Sequence, residues 1–395
     1  MNLLRISLLV ILLLFGFSYV QAKPTTTDGY CGDDYKTNGF YAFSIDAFFA
    51  FDENNLIISC SGKLARLDMP DYILTSNNGG KNWTKRLELD KGFIRKFMFL
   101  DNKIGFAVGG DFPDNIGCKG LILKTTDGGL TWKKVQIEIS ECLEDIQFLD
   151  KMSGWSVSDA GNFLKTTDSG KSWTIINQKL LTKRELLSVN LSLSDNNSSW
   201  AITFEREFNK DRTEAVIDGD IYQTADGGKT WLSRKDKFIN LLEKYKPEEI
   251  RFQAMKFINA KTGYVAANFL RTEYNQKDKE KHIVVEGGVI FSTKNGGKSW
   301  ETNIITTELG LTHADFSASG KFWVIPMRVW QKDFILSSLD YGKSWEHIST
   351  KFTDGGTPNQ IHFLNNKIGF LIADLGNNAD DLYRTLDGGK TWELR

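Results

Sequence analysis

The sequence predicts an all-β chain closed into a single seven-bladed β-propeller of four-stranded antiparallel blades. Three observations predict it. An eight-residue phrase, Ser/Thr-x-Asp/Asn-x-Gly-x-x-Trp, occurs seven times in order, and internal repeats specify architecture. A second phrase, an apolar strand ending in Phe, a polar turn, then Gly-aromatic, alternates with the first. The repeat length from Trp83 to Trp392 is about 51 residues, near that of known propeller blades.

The chain of 395 residues opens with a segment unlike the rest. Arg5 is followed by an apolar run, Ile6 to Phe17, and by Val20-Gln21-Ala22. A charged start, a short apolar core and a small-residue end form a secretory signal, with cleavage expected after Ala22. No cysteine stands directly after the apolar run, which argues against a lipid anchor there, and no later run is long enough to span a bilayer. Residues 23–45 form a polar lead-in, and 46–395 are assigned to the propeller.

The phrase beginning at Ser76 opens the series, with Asn78 and Trp83 at its acceptor and aromatic positions. The later copies carry Asp127 and Trp132, Asp168 and Trp173, Asp226 and Trp231, Asn295 and Trp300, Asp340 and Trp345, and Asp387 and Trp392. A tight turn needs a residue tolerant of positive φ, which Gly supplies. The Asp or Asn accepts backbone N–H bonds of its own turn, and the Ser or Thr adds a hydroxyl. The Trp starts the outermost strand and offers a large ring for packing. These residues therefore read as structural. Between them lie the innermost, second and third strands of each blade, as in Ile94–Phe99, Gly105–Val108 and Leu121–Lys124.

The phrase resembles the Asp-box, or BNR repeat, of sialidases, sortilin-type receptors and related propellers. Its ordered alternation with the Phe…Gly-aromatic cadence over residues 45–395 is similar to the photosystem II assembly-factor-like propellers. That resemblance implies binding of assembly intermediates without catalysis. The copies at Asn78 and Asn295 depart from Asp but keep an acceptor.

Composition sets outer bounds. With 49 basic and 50 acidic residues, there is no global charge to recruit nucleic acid or an anionic membrane. Four cysteines, Cys31, Cys60, Cys118 and Cys142, fit no zinc spacing, and export permits disulfides. All four fall at the loop face, so Cys31–Cys60 and Cys118–Cys142 are the expected pairs among three possible connectivities. No metal or other cofactor is implied.

The long segments Ser61–Asp71, Gly109–Gly120, Glu205–Asp220, Ser233–Glu249 and Arg271–Gly287 all connect strands on one face, the expected binding face. Leu241–Glu249 and Gln276–Lys281 mix Lys and Glu, as a short helix or solvated loop does.

The innermost strands alternate sharply. Their apolar side is core, and their polar side lines a central channel. The candidate binding residues there are Asp145, Lys256, His313, Asp315 and His362, with Asp159 and Asp374 bordering the mouth and Trp330 as an aromatic platform. Trp155, Trp200 and Trp323 are expected in the core.

Catalytic motifs are mostly absent. The Gly-Lys-Ser/Thr triplets lack the earlier Gly of a phosphate loop, and an Arg-Ile-Pro motif of sialidase type is missing, since Val324 precedes Ile325-Pro326. Two functions stay open. One is an exported, non-enzymatic, monomeric scaffold that binds a protein partner through its loop face. The other is a glycan-binding or glycan-hydrolysing propeller that uses the channel mouth.

Overall fold

This computed structural model describes residues 26–27, 43–62, 70–112, 117–176, 185–194, 198–208, 215–275, 280–306, 310–327, 334–350, 356–374 and 380–395. Residues 1–22, expected from sequence as a signal, most of the lead-in, Cys31 and Trp330 lie outside them. Seven antiparallel sheets follow one another along the chain; six are four-stranded with strands in sequence order, and the first adds a fifth strand at its outer edge. The innermost strands are Phe43–Ala50, Gly92–Phe99, Leu143–Phe148, Glu185–Leu193, Glu249–Phe257, Leu311–Phe316 and Thr357–Phe363. The first begins inside the stretch read as lead-in, and a two-residue strand, Thr26–Thr27, pairs outside the first blade's last strand, Trp83–Leu89.

Each box turn closes as its residue types require. In all seven, the Ser or Thr hydroxyl accepts the N–H of the Gly four residues on, at 2.8–2.9 Å. The Asp or Asn Oδ1 accepts the N–H just before the Trp at 2.9–3.0 Å. Asn78 and Asn295 make the same bond as the aspartates. The turn then docks on its own blade: in six blades the residue before the invariant Gly donates its N–H to the turn between the first two strands, as from Gly128 to the Lys103 carbonyl at 2.9 Å. That residue has positive φ, and Ser169 and Tyr341 adopt it where the other boxes have Gly.

The second phrase has an equally physical cause. Phe99, Phe148, Phe257 and Phe363 stand directly across the ladder from Gly105, Gly154, Gly263 and Gly369. Each ring lies over its glycine so closely that a Cβ there would come within 2.3–2.7 Å of ring atoms. The glycine is the space the ring occupies.

The core is divided among the blade interfaces. Seven hydrophobic clusters each join two neighbouring blades, with box tryptophans among them. Trp155, Trp200 and Trp323 are fully in this core. Burial of aromatic surface between sheets, at about 25 cal/mol per Å², is the main force holding the ring. Among the described residues, no strand is shared between the first and last blades. Closure comes from packing of Phe370, Ile372 and Leu382 on Ile45, Leu56 and Leu74, and from Asp380, whose Oδ2 accepts the Ile45 N–H at 2.9 Å.

The segment from Ser233 to Glu249, expected as a loop-face element, folds instead onto the propeller. The outer strand Leu232–Ser233 is cut short and gives way to a helix, Lys235–Asn240, and a 3-10 turn, Glu243–Tyr245. Phe238 and Leu242 are fully buried between blades four and five, with Phe238 against Phe252, Phe291 and Trp300. The charged face of this segment hid an apolar one spaced four residues apart.

Cys118 and Cys142 are bonded, joining the third strand of blade two to the start of blade three. Cys60 is also disulfide-bonded, and its expected partner, Cys31, lies outside the described residues.

Candidate functional site

The polar side of the innermost strands encloses a central cavity of about 590 Å³. Two tiers of side chains line it. One holds Lys96, Asp145, Asn190, Ala254, His313 and Gln360; the other holds Met98, Gln147, Ser192, Lys256, Asp315 and His362. Each innermost strand of blades two to seven contributes to both tiers because two residues apart on a strand is the same side.

Of the candidates named from sequence, Asp145, Lys256, His313, Asp315 and His362 are brought together here. Asp159 and Asp374 are not among the cavity's lining residues. Asp374 ends the second strand of blade seven, opposite Asp380, while Asp159 sits near Glu141 and Glu144.

The carboxylates and the bases do different things. Asp145 is 2% exposed; its Oδ2 accepts the Leu191 N–H at 2.7 Å and its Oδ1 that of Ile146 at 2.8 Å. Asp315 is 6% exposed; its Oδ2 accepts the Phe363 N–H at 2.7 Å, and its Oδ1 accepts the Phe316 N–H and the Lys256 ammonium, each at 2.8 Å. Leu191 and Phe363 belong to the next blade round the ring. An innermost strand has a free edge, and its N–H groups need acceptors. The carboxylates supply them across the blade interface.

The same device recurs. Asp71 accepts the Ile94 N–H at 2.7 Å, Ser192 that of Phe257 at 2.8 Å, and Asn268 that of Leu311 at 2.7 Å. With Asp380 to Ile45, six interfaces are tied this way. At the remaining one, between blades two and three, the Cys118–Cys142 bond and an Arg95–Glu144 ion pair at 3.5 Å take its place. Sequence reasoning missed Asp71, Asp380 and Asn268. Asp71 and Asp380 each stand five residues before a box Ser or Thr, a matched register that could have marked them.

Burial sets the electrostatics. Desolvation raises the pKa of Asp145, opposed by Lys96 and the two backbone donors. Asp315 is held below the usual carboxylate value by Lys256, His362 and the Phe363 N–H, which outweigh its desolvation. Desolvation pushes His313 down to about 4, with Lys96, His362 and Lys256 adding to the fall against Asp315. His362 is lowered for the same reasons. Both imidazoles are neutral at neutral pH.

A β-bulge interrupts every innermost strand. In six blades it falls at one position, at Asp46, Arg95, Glu144, Gln253, Thr312 and Asn359; in blade four it falls at Leu187. Bulges re-aim side chains, and here they form a ring at the loop-side end of the channel. Its charged arc is confined to blades one to three, where desolvation raises the carboxyl pKa of Asp46 and Glu144.

On the loop face, blades four and five project. Their middle strands Ser199–Phe208 and Ala215–Thr224, and Gly263–Asn275 and Glu280–Thr293, run as long paired hairpins to Phe208↔Ala215 and Asn275↔Glu280. The second strands of blades three, six and seven have five or six residues. Among the described residues, no cluster of three or more metal-ligating side chains is present and no helix is long and apolar enough to cross a membrane.

The chain resembles known proteins in both sequence and fold. The family model described as "Photosynthesis system II assembly factor YCF48" matches residues 98–184, 129–204 and 265–395, together more than half of the chain. The photosystem II assembly lipoprotein Ycf48 of Synechococcus sp. (strain CC9902) is 26% identical over 121 residues, which is 29% of this chain and 33% of that relative. The aligned part thus spans a third of the relative's length. Among solved structures, "YCF48 bound to D1 peptide" is similar with a TM-score of 0.55 and 16% identity, covering 88% of this chain and 94% of that one. YCF48 from Cyanidioschyzon merolae is similar with a TM-score of 0.53 and 15% identity, covering 87% of this chain and 98% of that one. At such identities the structures establish the shared propeller fold. The matched sequence, the seven box turns and the seven sheets lead to one conclusion: the chain belongs to the photosynthesis system II assembly factor YCF48 family.

Proposed function

We propose that the chain is a non-enzymatic scaffold that holds a protein partner on its loop face. The observation that carries this reading is the pair of long hairpins of blades four and five, raised on one face of an otherwise short-stranded propeller. Long extensions on a rigid scaffold are where binding residues concentrate. Family membership supports the same reading, as does a relative of this fold described as bound to a peptide.

The channel argues for binding over hydrolysis. A glycosidase needs two carboxylates free to exchange protons across a substrate. Asp145 and Asp315 instead have their oxygens committed to backbone N–H groups, one on their own strand and one on the next blade in each case. Export completes the proposal: residues 1–22 direct the chain out of the cytoplasm, where the Cys118–Cys142 bond is stable, and it acts there as a monomer.

The test is a direct binding measurement. Residues 23–395 are immobilised, an extracytoplasmic extract is passed over them, and a retained protein is identified and then rebound in purified form. Retention of a polysaccharide in place of a protein would overturn the proposal.

A further inference from the structure

We propose that the central channel binds a small, multiply charged oxyanion, held by Lys96, Lys256, His313 and His362. These four side chains come from blades two, five, six and seven and converge on one cavity of about 590 Å³. That volume is in the range of small-ligand sites.

The case rests on which charges face the lumen. Lys96 is exposed to the cavity, and among the described residues its ammonium has neither a hydrogen bond nor an ion pair. Lys256 has a side chain 41% exposed and uses one of its three donors on Asp315. The His362 side chain is 44% exposed. His313 accepts the Ile361 N–H at Nδ1, which leaves Nε2 as the donor. The two carboxylates of the cavity are withdrawn: Asp315 is 8% exposed at its side chain and Asp145 is 2% exposed as a residue, and backbone N–H groups hold both. Cationic and imidazole donors thus reach the lumen while its two carboxylates are spent in the wall.

Lys96 also lies close enough to both imidazoles to lower their pKa, as Lys256 does, although the blades are separate elements. The ammonium groups of Lys96 and Lys256 share the cavity, and a multiply charged anion between them would meet both. The charged and titratable groups acting on the imidazoles are Lys96, Lys256 and Asp315, with His362 also acting on His313. This inference stands on the channel and does not depend on the loop-face partner.

The chain has only four histidines, so their ring C–H signals can be assigned by NMR. Residues 23–395 are titrated with inorganic phosphate and, separately, with citrate, against chloride at matched ionic strength. A saturable shift of His313 and His362, with His282 and His347 unmoved, is the expected result. Saturation by phosphate, by citrate or by both supports the site and tells phosphate from carboxylate recognition. Lys96→Gln, which breaks no bond in the fold, weakens the shift about tenfold or more, equivalent to about 1.4 kcal/mol. Lys256→Gln weakens it as well. Shifts no larger than in chloride, or shifts unchanged in both variants, would overturn the proposal.

Discussion

Asp315 and Phe363 lie 48 residues apart, yet the carboxylate of one accepts the backbone N–H of the other at 2.7 Å, binding blade six to blade seven. The same carboxylate anchors Lys256 and the Phe316 N–H. Removing it leaves two buried N–H groups without an acceptor. Asp315→Ala is expected to destabilise the propeller by about 2–3 kcal/mol in urea unfolding. Lys256→Gln removes only a partly exposed partner and costs about 1 kcal/mol or less. Equal losses in the two variants would show that Asp315 matters only as an ion-pair partner.

Box-turn chemistry predicts substitutions of opposite sign at one position. Ser169 has φ of 63° where five boxes have Gly, a conformation costing an L-residue about 1–2 kcal/mol. Ser169→Gly is expected to gain about 0.5–1 kcal/mol after its entropic cost. At the equivalent Gly128, a Cβ would meet the Asn102 carbonyl at 2.8 Å, so Gly128→Ala is destabilising. Matched thermal melts of the two variants check the pair.

Acid dependence also separates two groups of carboxylates. Desolvation raises Asp71 well above the usual carboxylate value, with Asp46 adding to it. Its folded state binds a proton more tightly than its unfolded state, so its contribution to stability grows as pH falls towards 3.8. Asp71→Asn keeps an acceptor for Ile94 and should stabilise the chain at pH 7–8, with the gain vanishing near pH 4. The box carboxylates behave oppositely. Asp340 is lowered to about 2 by the Ser344 N–H and hydroxyl, so its contribution is present above 3.8 and lost as pH falls towards 2. Melting temperatures across this range would show a gain from Asp71→Asn that shrinks on acidification. A constant gain would contradict the assignment of its cause to the buried charge.

The disulfide joins the one interface, among the described residues, where no side chain accepts a backbone N–H of the next innermost strand. It closes a 24-residue separation between blades two and three. Replacing Cys118 and Cys142 with Ser is expected to cost about 2–4 kcal/mol. Unfolding monitored in parent and double variant measures it.

Much of this architecture was legible in the sequence because it is local. The box and the Phe…Gly-aromatic cadence are short contiguous phrases whose bonds close within four to six residues, as in Thr125 to Gly129 and Phe99 to Gly105. The polar alternation likewise placed Asp145, Lys256, His313, Asp315 and His362 at one channel. What was not legible is relational. The ties from Asp71 to Ile94 and from Asp145 to Leu191 join residues 23 and 46 positions apart, and no local pattern requires them. The bulges shift the register by one residue inside strands whose apolar pattern still reads as continuous. Phe238 was hidden because charged neighbours outnumber it in its segment, although it fills the wedge between two blades.

The central claim is that the raised hairpins hold a protein partner. The most direct measurement compares partner binding by residues 23–395 with binding by a variant shortened within Arg271–Gly287, the tip of the longest hairpin. A defined protein bound by the parent is expected to be lost from the variant while both melt alike. Undiminished binding by the shortened chain, or retention of a polysaccharide alone, would contradict it.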